Sequence, residues 1–237
     1  MKMLAVETAT GVQSLALVTG DRIVAEHHEE ASGHHARFLV PAVDALLKSV
    51  GWQLSDIAVF AVSIGPGSFT GLRVGLATIM GFRMVTGAKV VTVPTLEAMA
   101  WNLQGFQGRR CPVLRSRTGE VYWALFERHG HDLQRIAPDR VGSLQAFAAS
   151  ITETTVVYGE GWQANREEVH RLLGSSDRLA VEGPREAASA SACSVAFAAR
   201  RRLASGELLE NTLSPRYVQR ADAELMMDRR ATGSVPG

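Results

Sequence analysis

The stretch with the residue types and spacing for binding chemistry is Ser63–Arg73, a glycine-rich turn that contains Gly65, Gly67 and Ser68. An apolar run before it predicts a strand, and the residues after it predict a helix. Backbone amides at the start of a helix bind phosphate well, so this turn could hold a phosphate group. The helix lacks the Gly-Lys-Ser/Thr start of a Walker loop. A tight strand-to-helix turn without a ligand explains the pattern equally well.

A second candidate is the turn after the first predicted strand, where Glu7 is followed by two threonines. A carboxylate there could organise a metal ion and water. The corresponding loop of the second half, 114–119, has no acidic residue before Glu120. Its absence weakens the hypothesis of ATP hydrolysis more than the hypothesis of nucleotide binding. An exposed strand-end carboxylate is the simple alternative for Glu7. The predicted nucleotide cleft draws on several turns: Glu7, Thr8, Thr10, Gly65, Gly67, Ser68, Gly159 and Gly161.

No spacing in the chain predicts a metal site or a nucleophile. Two histidine ligands on one helix face should be four residues apart, but His34 is followed four residues later by Phe38 and His35 by Leu39. Ser68 directly follows a glycine and lacks the Gly-x-Ser-x-Gly spacing of a nucleophile elbow. We therefore expect no metal and no resident cofactor, with weak ATP or ADP binding left open.

The composition is that of an ordinary globular protein. Apolar residues make up 46% of the 237 residues and charged residues 21%, and the formal net charge is +1. This balance argues against nucleic-acid binding through bulk charge. The first residues lack the pattern of a signal peptide, and no apolar run reaches the length of a membrane span. Two isolated cysteines are typical of a reducing compartment. We expect a cytoplasmic protein with no membrane partner.

The elements that must position these turns follow the order β-β-β-α-β-α-β-α through the first half. A three-stranded meander followed by alternating strands and helices predicts a ribonuclease-H-like lobe. The second half begins again with strands and resembles a shortened repeat. We therefore predict an α/β protein with the actin-like (ASKHA) fold: two ribonuclease-H-like lobes, the second one reduced, at residues 1–106 and 107–224. Residues 225–237 are predicted to be a disordered tail.

The first lobe has one helix with more apolar surface than a single sheet can cover. The helix after the glycine-rich turn is apolar nearly all round, and small residues recur four apart at Gly71/Gly75 and Ala77/Gly81. A helix of this kind is buried on more than one side. A partner protein could cover the second side, and another helix of the same chain is the alternative.

Several motifs together resemble the TsaB (YeaZ) family. They are Leu4–Thr10, His35–Pro41, Gly65–Arg73, Val93–Ala98, Gly119–Trp123 and Leu213–Arg220. The resemblance covers most of residues 3–224, and the Gly-Pro-Gly-Ser-Phe-Thr-Gly turn is its most specific motif. The second half matches more loosely.

The resemblance implies a subunit of the bacterial machinery that makes N6-threonylcarbamoyladenosine at position 37 of tRNA. Such subunits are catalytically silent relatives of the transferase subunit TsaD, pair with it through first-lobe helices, and also form homodimers. The ATPase TsaE joins the complex, and tRNA is contacted mainly through the complex. The implied partner interface comprises residues of two helices: Leu39, Val43, Leu46, Leu47, Leu72, Arg73, Leu76, Met80 and Arg83.

Two positions depart from the family pattern. Glu7 stands where the family commonly has Asp, and Arg115 replaces the Asp that commonly begins the second-lobe loop. The second change puts nucleotide turnover in doubt. An actin-like ATPase or small-molecule kinase is the alternative function, and a metallopeptidase is disfavoured by the broken histidine pair. A candidate basic patch, for which an ordinary solvated surface is the alternative, consists of four arginines: Arg109, Arg110, Arg115 and Arg117.

Overall fold

The structure is a computed structural model that describes residues 1–31 and 33–206. The described residues form twelve strands, which make up two sheets, and six α-helices. The predicted tail 225–237, the predicted end of the second lobe at 224 and the motif Leu213–Arg220 lie outside the described residues. Among the described helices, none is long and apolar enough to cross a membrane.

The first sheet contains β1 (Lys2–Glu7), β2 (Val12–Thr19), β3 (Arg22–Glu30), β4 (Val59–Ser63) and β5 (Lys89–Val93). Their spatial order is β3-β2-β1-β4-β5, with an antiparallel meander on one side and parallel strands on the other. The central strand β1 is buried from Met3 to Glu7 because the sheet is covered on both faces. The predicted meander followed by parallel strands is confirmed.

The second sheet repeats this arrangement. It contains β6 (Gly108–Arg115), β7 (Glu120–Trp123), β8 (Phe126–His129), β9 (Asp132–Arg135), β10 (Arg140–Ser143), β11 (Thr155–Tyr158) and β12 (Ala180–Glu182). The order β10-β7-β6-β11-β12 has the same directions as the first sheet, and the hairpin β8–β9 is added beside β6. Most of these strands have three or four residues. The second lobe is therefore reduced in strand length rather than in strand number.

In the described part of the chain the sheets are covered by α1 (His35–Ser49), α2 (Phe69–Thr86), α3 (Thr95–Ala100), α4 (Leu144–Ala149), α5 (Glu160–Leu173) and α6 (Ala192–Ala204). α1 and α2 pack on one face of the first sheet, and α4 and α5 pack on the second sheet. In α1 and α2 the apolar residues that recur at three- and four-residue spacing form the buried stripe.

Within the described residues, the last helix of each half packs on the sheet of the other half. In α3, Leu96 and Met99 belong to a core with Leu114 and Tyr158 of the second sheet. In α6, residues such as Val195 belong to the core on the second face of the first sheet. The division at residue 106 therefore does not separate two packing units. It assigns α6 to residues 107–224, although this helix completes the core of the first lobe.

Candidate functional site

Glu7 ends β1 and is buried inside the first lobe with none of its surface exposed. Its Oε1 accepts a hydrogen bond from the Ala9 amide at 2.5 Å, while its Oε2 has no partner among the described residues. Burial raises the pKa of the Glu7 carboxyl to about 7, because desolvation penalises the charged form. The nearby Ser63 hydroxyl and the Ala9 amide offset only part of that effect. The carboxyl therefore titrates near neutral pH inside the fold.

The first turns of α2 lie directly against the residues that follow Glu7. The Thr8 hydroxyl donates to the Gly71 carbonyl at 2.9 Å. A Cβ at Gly71 would lie 2.0 Å from the Thr8 carbonyl oxygen, and a Cβ at Gly75 would lie 2.3 Å from the Thr8 hydroxyl oxygen. Gly71 and Gly75 are therefore required by this contact. They do not form the strip for a second helix that their spacing suggests.

The glycine-rich turn closes over the same residues. The Ser68 amide donates to the Ala9 carbonyl at 2.7 Å, and a Cβ at Gly67 would lie 2.3 Å from that carbonyl oxygen. The Ser68 hydroxyl caps the first turn of α2. On the other side, the Thr95 hydroxyl accepts from the Gly65 amide at 3.1 Å. The turn thus connects β1, α2 and α3.

The second lobe repeats this contact between the start of a helix and the end of a strand. A Cβ at Gly159, which has a φ of +114°, would lie 2.2 Å from the Val113 carbonyl oxygen. A Cβ at Gly161 would lie 2.6 Å from the Leu114 carbonyl oxygen. Gly159 and Gly161 therefore let α5 approach β6, as the glycines of α2 do in the first lobe.

His35, at the start of α1, holds the other side of the first turn. Its Nε2 lies 3.1 Å from the Thr10 carbonyl oxygen, so a proton on Nε2 is the one that can be donated there. Burial lowers the pKa of His35 and favours its neutral form. Leu39, one helical turn later, is buried in the core. Within residues 1–31 and 33–206, no group of three His, Cys, Asp or Glu side chains is placed to hold a metal ion.

Of the predicted nucleotide cleft, Glu7, Thr8, Thr10, Gly65, Gly67 and Ser68 lie together around the first turn, whereas Gly159 and Gly161 lie in the second lobe against β6. The polar groups of Glu7 and Thr8 point into the protein. Glu7 and Thr8 have no exposed surface, and Thr10 is only 6% exposed. The Thr8 hydroxyl and the Ala9 amide are already bonded to protein atoms. Glu7 and Thr8 therefore do not fit the metal-organising and phosphate-binding roles that their sequence pattern suggests, and for the other residues of the predicted cleft nucleotide binding stays a prediction.

Most of the predicted interface residues belong to the chain's own core. Six of them are between 0% and 7% exposed: Leu39, Val43, Leu46, Leu47, Leu72 and Leu76. They form the stripes by which α1 and α2 pack on the first sheet, so they present no surface to a partner in this fold. Arg73 and Met80 are exposed and Arg83 is half-buried. For these three, contact with a partner stays a prediction.

Other apolar side chains of α1 and α2 face outward. Among the described residues ten large apolar side chains are exposed, and half of them lie on these two helices: Val40, Phe69, Met80, Met84 and Val85. Met84 and Val85 are the most exposed, at 86% and 83%. The sequence signal for this surface is the set of apolar residues that remains once the core-facing stripe has been assigned.

One side of α2 forms a continuous exposed surface. We call it the α2 face and define it as Phe69, Arg73, Ala77, Met80 and Met84. Successive members are three or four residues apart and so share one side of the helix. The Arg73 guanidinium lies 3.8 Å from the centroid of the Phe69 ring. The α2 face is thus an exposed apolar strip with a cation near the start of the helix.

The four arginines of the candidate basic patch do not share one surface. Arg110 is fully buried, and Arg109 pairs with Glu153 at 3.0 Å. Arg115, the last residue of β6, and Arg117, on the loop that follows, are exposed. The patch suggested by their closeness in sequence is therefore divided between the interior and the surface.

Three comparisons place the chain among known proteins. A family model described as TsaD, tRNA N6-adenosine threonylcarbamoyltransferase, matches residues 23–171, more than half of the chain. The tRNA threonylcarbamoyladenosine biosynthesis protein TsaB of Escherichia coli K12 is 32% identical over 173 residues, which are 69% of this chain and 73% of that protein. The solved structure of YeaZ from Pseudomonas aeruginosa matches with a TM-score of 0.74 and 24% identity, over 91% of this chain and 99% of that one.

The repeated sheet order and the paired helix starts define a two-lobed, actin-like protein. The same architecture relates the chain to a ROK hexokinase from Thermus thermophilus, with a TM-score of 0.53 and 11% identity over 87% of this chain and 100% of that one. Within this class, the chain belongs to the TsaB (YeaZ) family. Its curated relatives are named for tRNA threonylcarbamoyladenosine biosynthesis, which supports a role in that modification.

Proposed function

We propose that this chain is a non-catalytic subunit of the machinery that makes N6-threonylcarbamoyladenosine in tRNA, and that it binds a TsaD-type transferase subunit through the α2 face. The observation that carries the proposal is a helix whose core-facing stripe is already buried and whose other side exposes Met80 and Met84. Contiguous exposed apolar surface is typical of protein–protein interaction sites. Family membership supplies the tRNA-modification context.

The proposal assigns the chain no catalytic step of its own. It is supported by the burial of Glu7 and by the use of the Thr8 hydroxyl within the protein. A carboxyl group without exposed surface is badly placed to organise a metal ion and water. In this proposal a TsaE-type ATPase and tRNA meet the chain through the complex, and the α2 face supports self-association when the transferase subunit is absent.

The test is to mix the protein with the TsaD-type subunit of the same organism and measure complex formation by size-exclusion chromatography with light scattering. The double variant Met80→Glu/Met84→Glu adds two charges to the α2 face. We expect it to weaken binding by about 30-fold or more, the effect of losing a hot spot worth ~2 kcal/mol. Leu76 also belongs to the predicted interface, but a charge there would not test binding. Leu76 is 3% exposed, so Leu76→Glu would disrupt the core.

Val181→Glu is the matched control, because Val181 is 42% exposed on β12 of the other lobe. Circular dichroism should show every variant folded. Binding by Met80→Glu/Met84→Glu as tight as that of the unmodified chain would reject the α2 face as the docking surface. Absence of any complex, with or without nucleotide, would reject the subunit role itself.

Catalytic silence has a separate test in Mg-ATP hydrolysis by the purified protein. We expect a rate no higher than that of buffer, and no change with Glu7→Gln. Hydrolysis that Glu7→Gln abolishes would contradict the proposal and favour an actin-like ATPase.

A further inference from the structure

Along residues 33–206 the chain passes between the two sheets through two connections. The first connection, residues 101–107, joins α3 to β6, and the second connection, residues 183–191, joins β12 to α6. Rotation of one lobe against the other has to bend both connections, as it does at any hinge formed by short loop segments. Side chains that hold these connections therefore decide whether the lobes can move.

Asn102 joins the two connections directly. Its side-chain amide donates to the Ala187 carbonyl at 3.0 Å and to the Ser189 carbonyl at 2.7 Å. Its side-chain carbonyl accepts from the Ser194 hydroxyl in the first turn of α6. One side chain of the first connection thus holds the second connection and the helix that follows it.

Arg110 fixes the shape of the first connection from inside the protein. It is fully buried, and its guanidinium donates to the carbonyl groups of Ala100 at 3.0 Å, Leu103 at 2.8 Å and Phe106. The carbonyl groups at the end of a helix carry partial negative charge and lack partners within the helix. Ala100 is the last residue of α3, whereas Leu103 and Phe106 belong to the first connection. A buried cation bonded to all three carbonyl groups makes any other path of this segment unfavourable, because the guanidinium would lose these partners inside the protein.

Further contacts link α3 to both lobes. The Tyr158 hydroxyl at the end of β11 donates to the Met99 carbonyl at 2.9 Å. Glu97 of α3 pairs with Arg202 of α6 at 2.8 Å and with Arg135 of β9 at 3.4 Å. Movement at the connections would break these contacts together with the bonds of Asn102 and Arg110.

We propose that Asn102 and Arg110 lock the hinge, so that the two lobes of this actin-like protein behave as one rigid body. The lock keeps the cleft at a fixed width and holds the first lobe, with its exposed helices, in one orientation relative to the second lobe. In this protein neither nucleotide nor protein binding acts through closure of the lobes.

The experiment measures the distance between spin labels on the two lobes by double electron–electron resonance. Lys89→Cys at the start of β5 and Thr154→Cys before β11 place labels on exposed positions of different lobes. The native thiols of Cys111 and Cys193 are buried, and burial raises the pKa of Cys193 to about 12, so both should label poorly. Labelling of the chain without the new cysteines checks this.

With the native hinge we expect one narrow distance distribution that Mg-ATP leaves unchanged. Asn102→Ala/Arg110→Met should broaden it and add a second population. Asn165→Ala is the matched control, because the Asn165 amide donates to the Gly161 carbonyl at 2.8 Å within one lobe. It should leave the distribution unchanged.

A broad or bimodal distribution with the native hinge, or a shift on addition of Mg-ATP, would overturn the proposal whether or not the hinge variants fold. Equal widths for the native hinge and a folded Asn102→Ala/Arg110→Met variant would also overturn it. Asn102→Ala alone serves if the double variant does not fold. Equal broadening by Asn165→Ala would show general loosening of the protein and reject the hinge assignment.

Discussion

Glu7 makes the stability of this protein depend on pH. Its pKa is about 7 in the fold, against 4.5 for an unperturbed glutamate. The folded protein therefore binds this proton more tightly than the unfolded chain, and the free energy of unfolding falls as the pH rises from about 4.5 to about 7. This pKa difference corresponds to about 3 kcal/mol. We expect Glu7→Gln to remove this contribution. In urea unfolding, the free energy of unfolding of the variant should then rise relative to that of the native protein by about that amount between about pH 4.5 and about pH 7.

The control for this titration is Glu30→Gln, since Glu30 is exposed at the end of β3. Its unfolding free energy should follow the native pH profile. Parallel profiles for the native protein and Glu7→Gln between about pH 4.5 and about pH 8 would show that Glu7 does not hold a proton more tightly in the fold.

Two glycines of α2 should respond oppositely to the same substitution. In Gly71→Ala the new Cβ would meet the Thr8 carbonyl oxygen at 2.0 Å, a backbone atom that no rotamer can move. Gly81→Ala places its Cβ where no atom lies within 4 Å. We expect Gly71→Ala to lower the free energy of unfolding by about 1–3 kcal/mol, and Gly81→Ala to raise it by up to about 1 kcal/mol through helix propensity. Urea unfolding of both variants measures this, and equal effects would contradict the close contact between α2 and the first turn.

At the scale of elements, α2 has one side for the core and another for the surface. Leu76→Ala should lower the free energy of unfolding by about 2–5 kcal/mol because Leu76 is buried beside the sheet. Met80→Ala should change it by no more than about 0.5 kcal/mol, since Met80 is 44% exposed. Among folded variants the order should be reversed for binding: Met80→Ala should weaken binding to the TsaD-type subunit more than Leu76→Ala does. A Met80→Ala variant as unstable as Leu76→Ala would contradict the division of α2 into two sides.

The spacing of apolar residues predicts that α1 and α2 exist and that each buries a stripe. It does not tell what buries that stripe, because a sheet of the same chain and a partner protein select the same side chains. Leu39 and Leu76 therefore fit a partner interface by pattern, although the structure places them in the core. The exposed Met84 and Val85 differ from them only in where they fall around the helix.

Short and polar elements leave little trace in the sequence. Strands β10 and β12 have four and three residues and contain no apolar run, so their sequence does not predict them. The burial of Glu7 is equally invisible, because the turn that follows it is covered by α2, whose Gly71 and Gly75 are more than sixty residues away in the chain. By contrast, β1 and β4 are continuous apolar runs, and the sequence predicts both.

At the scale of the molecule, the packing of α3 and α6 on each other's sheets makes the two lobes depend on one another. The face of the first sheet that carries Met3, Ala5 and Val18 is covered by α6, which lies late in the chain. The apolar residues of α3 are in turn covered by the second sheet. Among the described residues, each half contains a complete sheet and the core on one face of it, but a second core in each lobe combines residues of both halves.

This arrangement predicts that the fragment 1–106 does not fold alone, even though it matches the lobe that the sequence delimits. Without α6, one face of its sheet is exposed to water, and such a loss of buried apolar area exceeds the marginal stability of a small domain. We expect the fragment to bind a hydrophobic dye and to show no cooperative transition in urea. Mixing it with the fragment 107–237 should restore the transition, because that fragment supplies α6 and the second sheet. Cooperative unfolding of 1–106 by itself would show that the exchanged helices are dispensable for the first lobe.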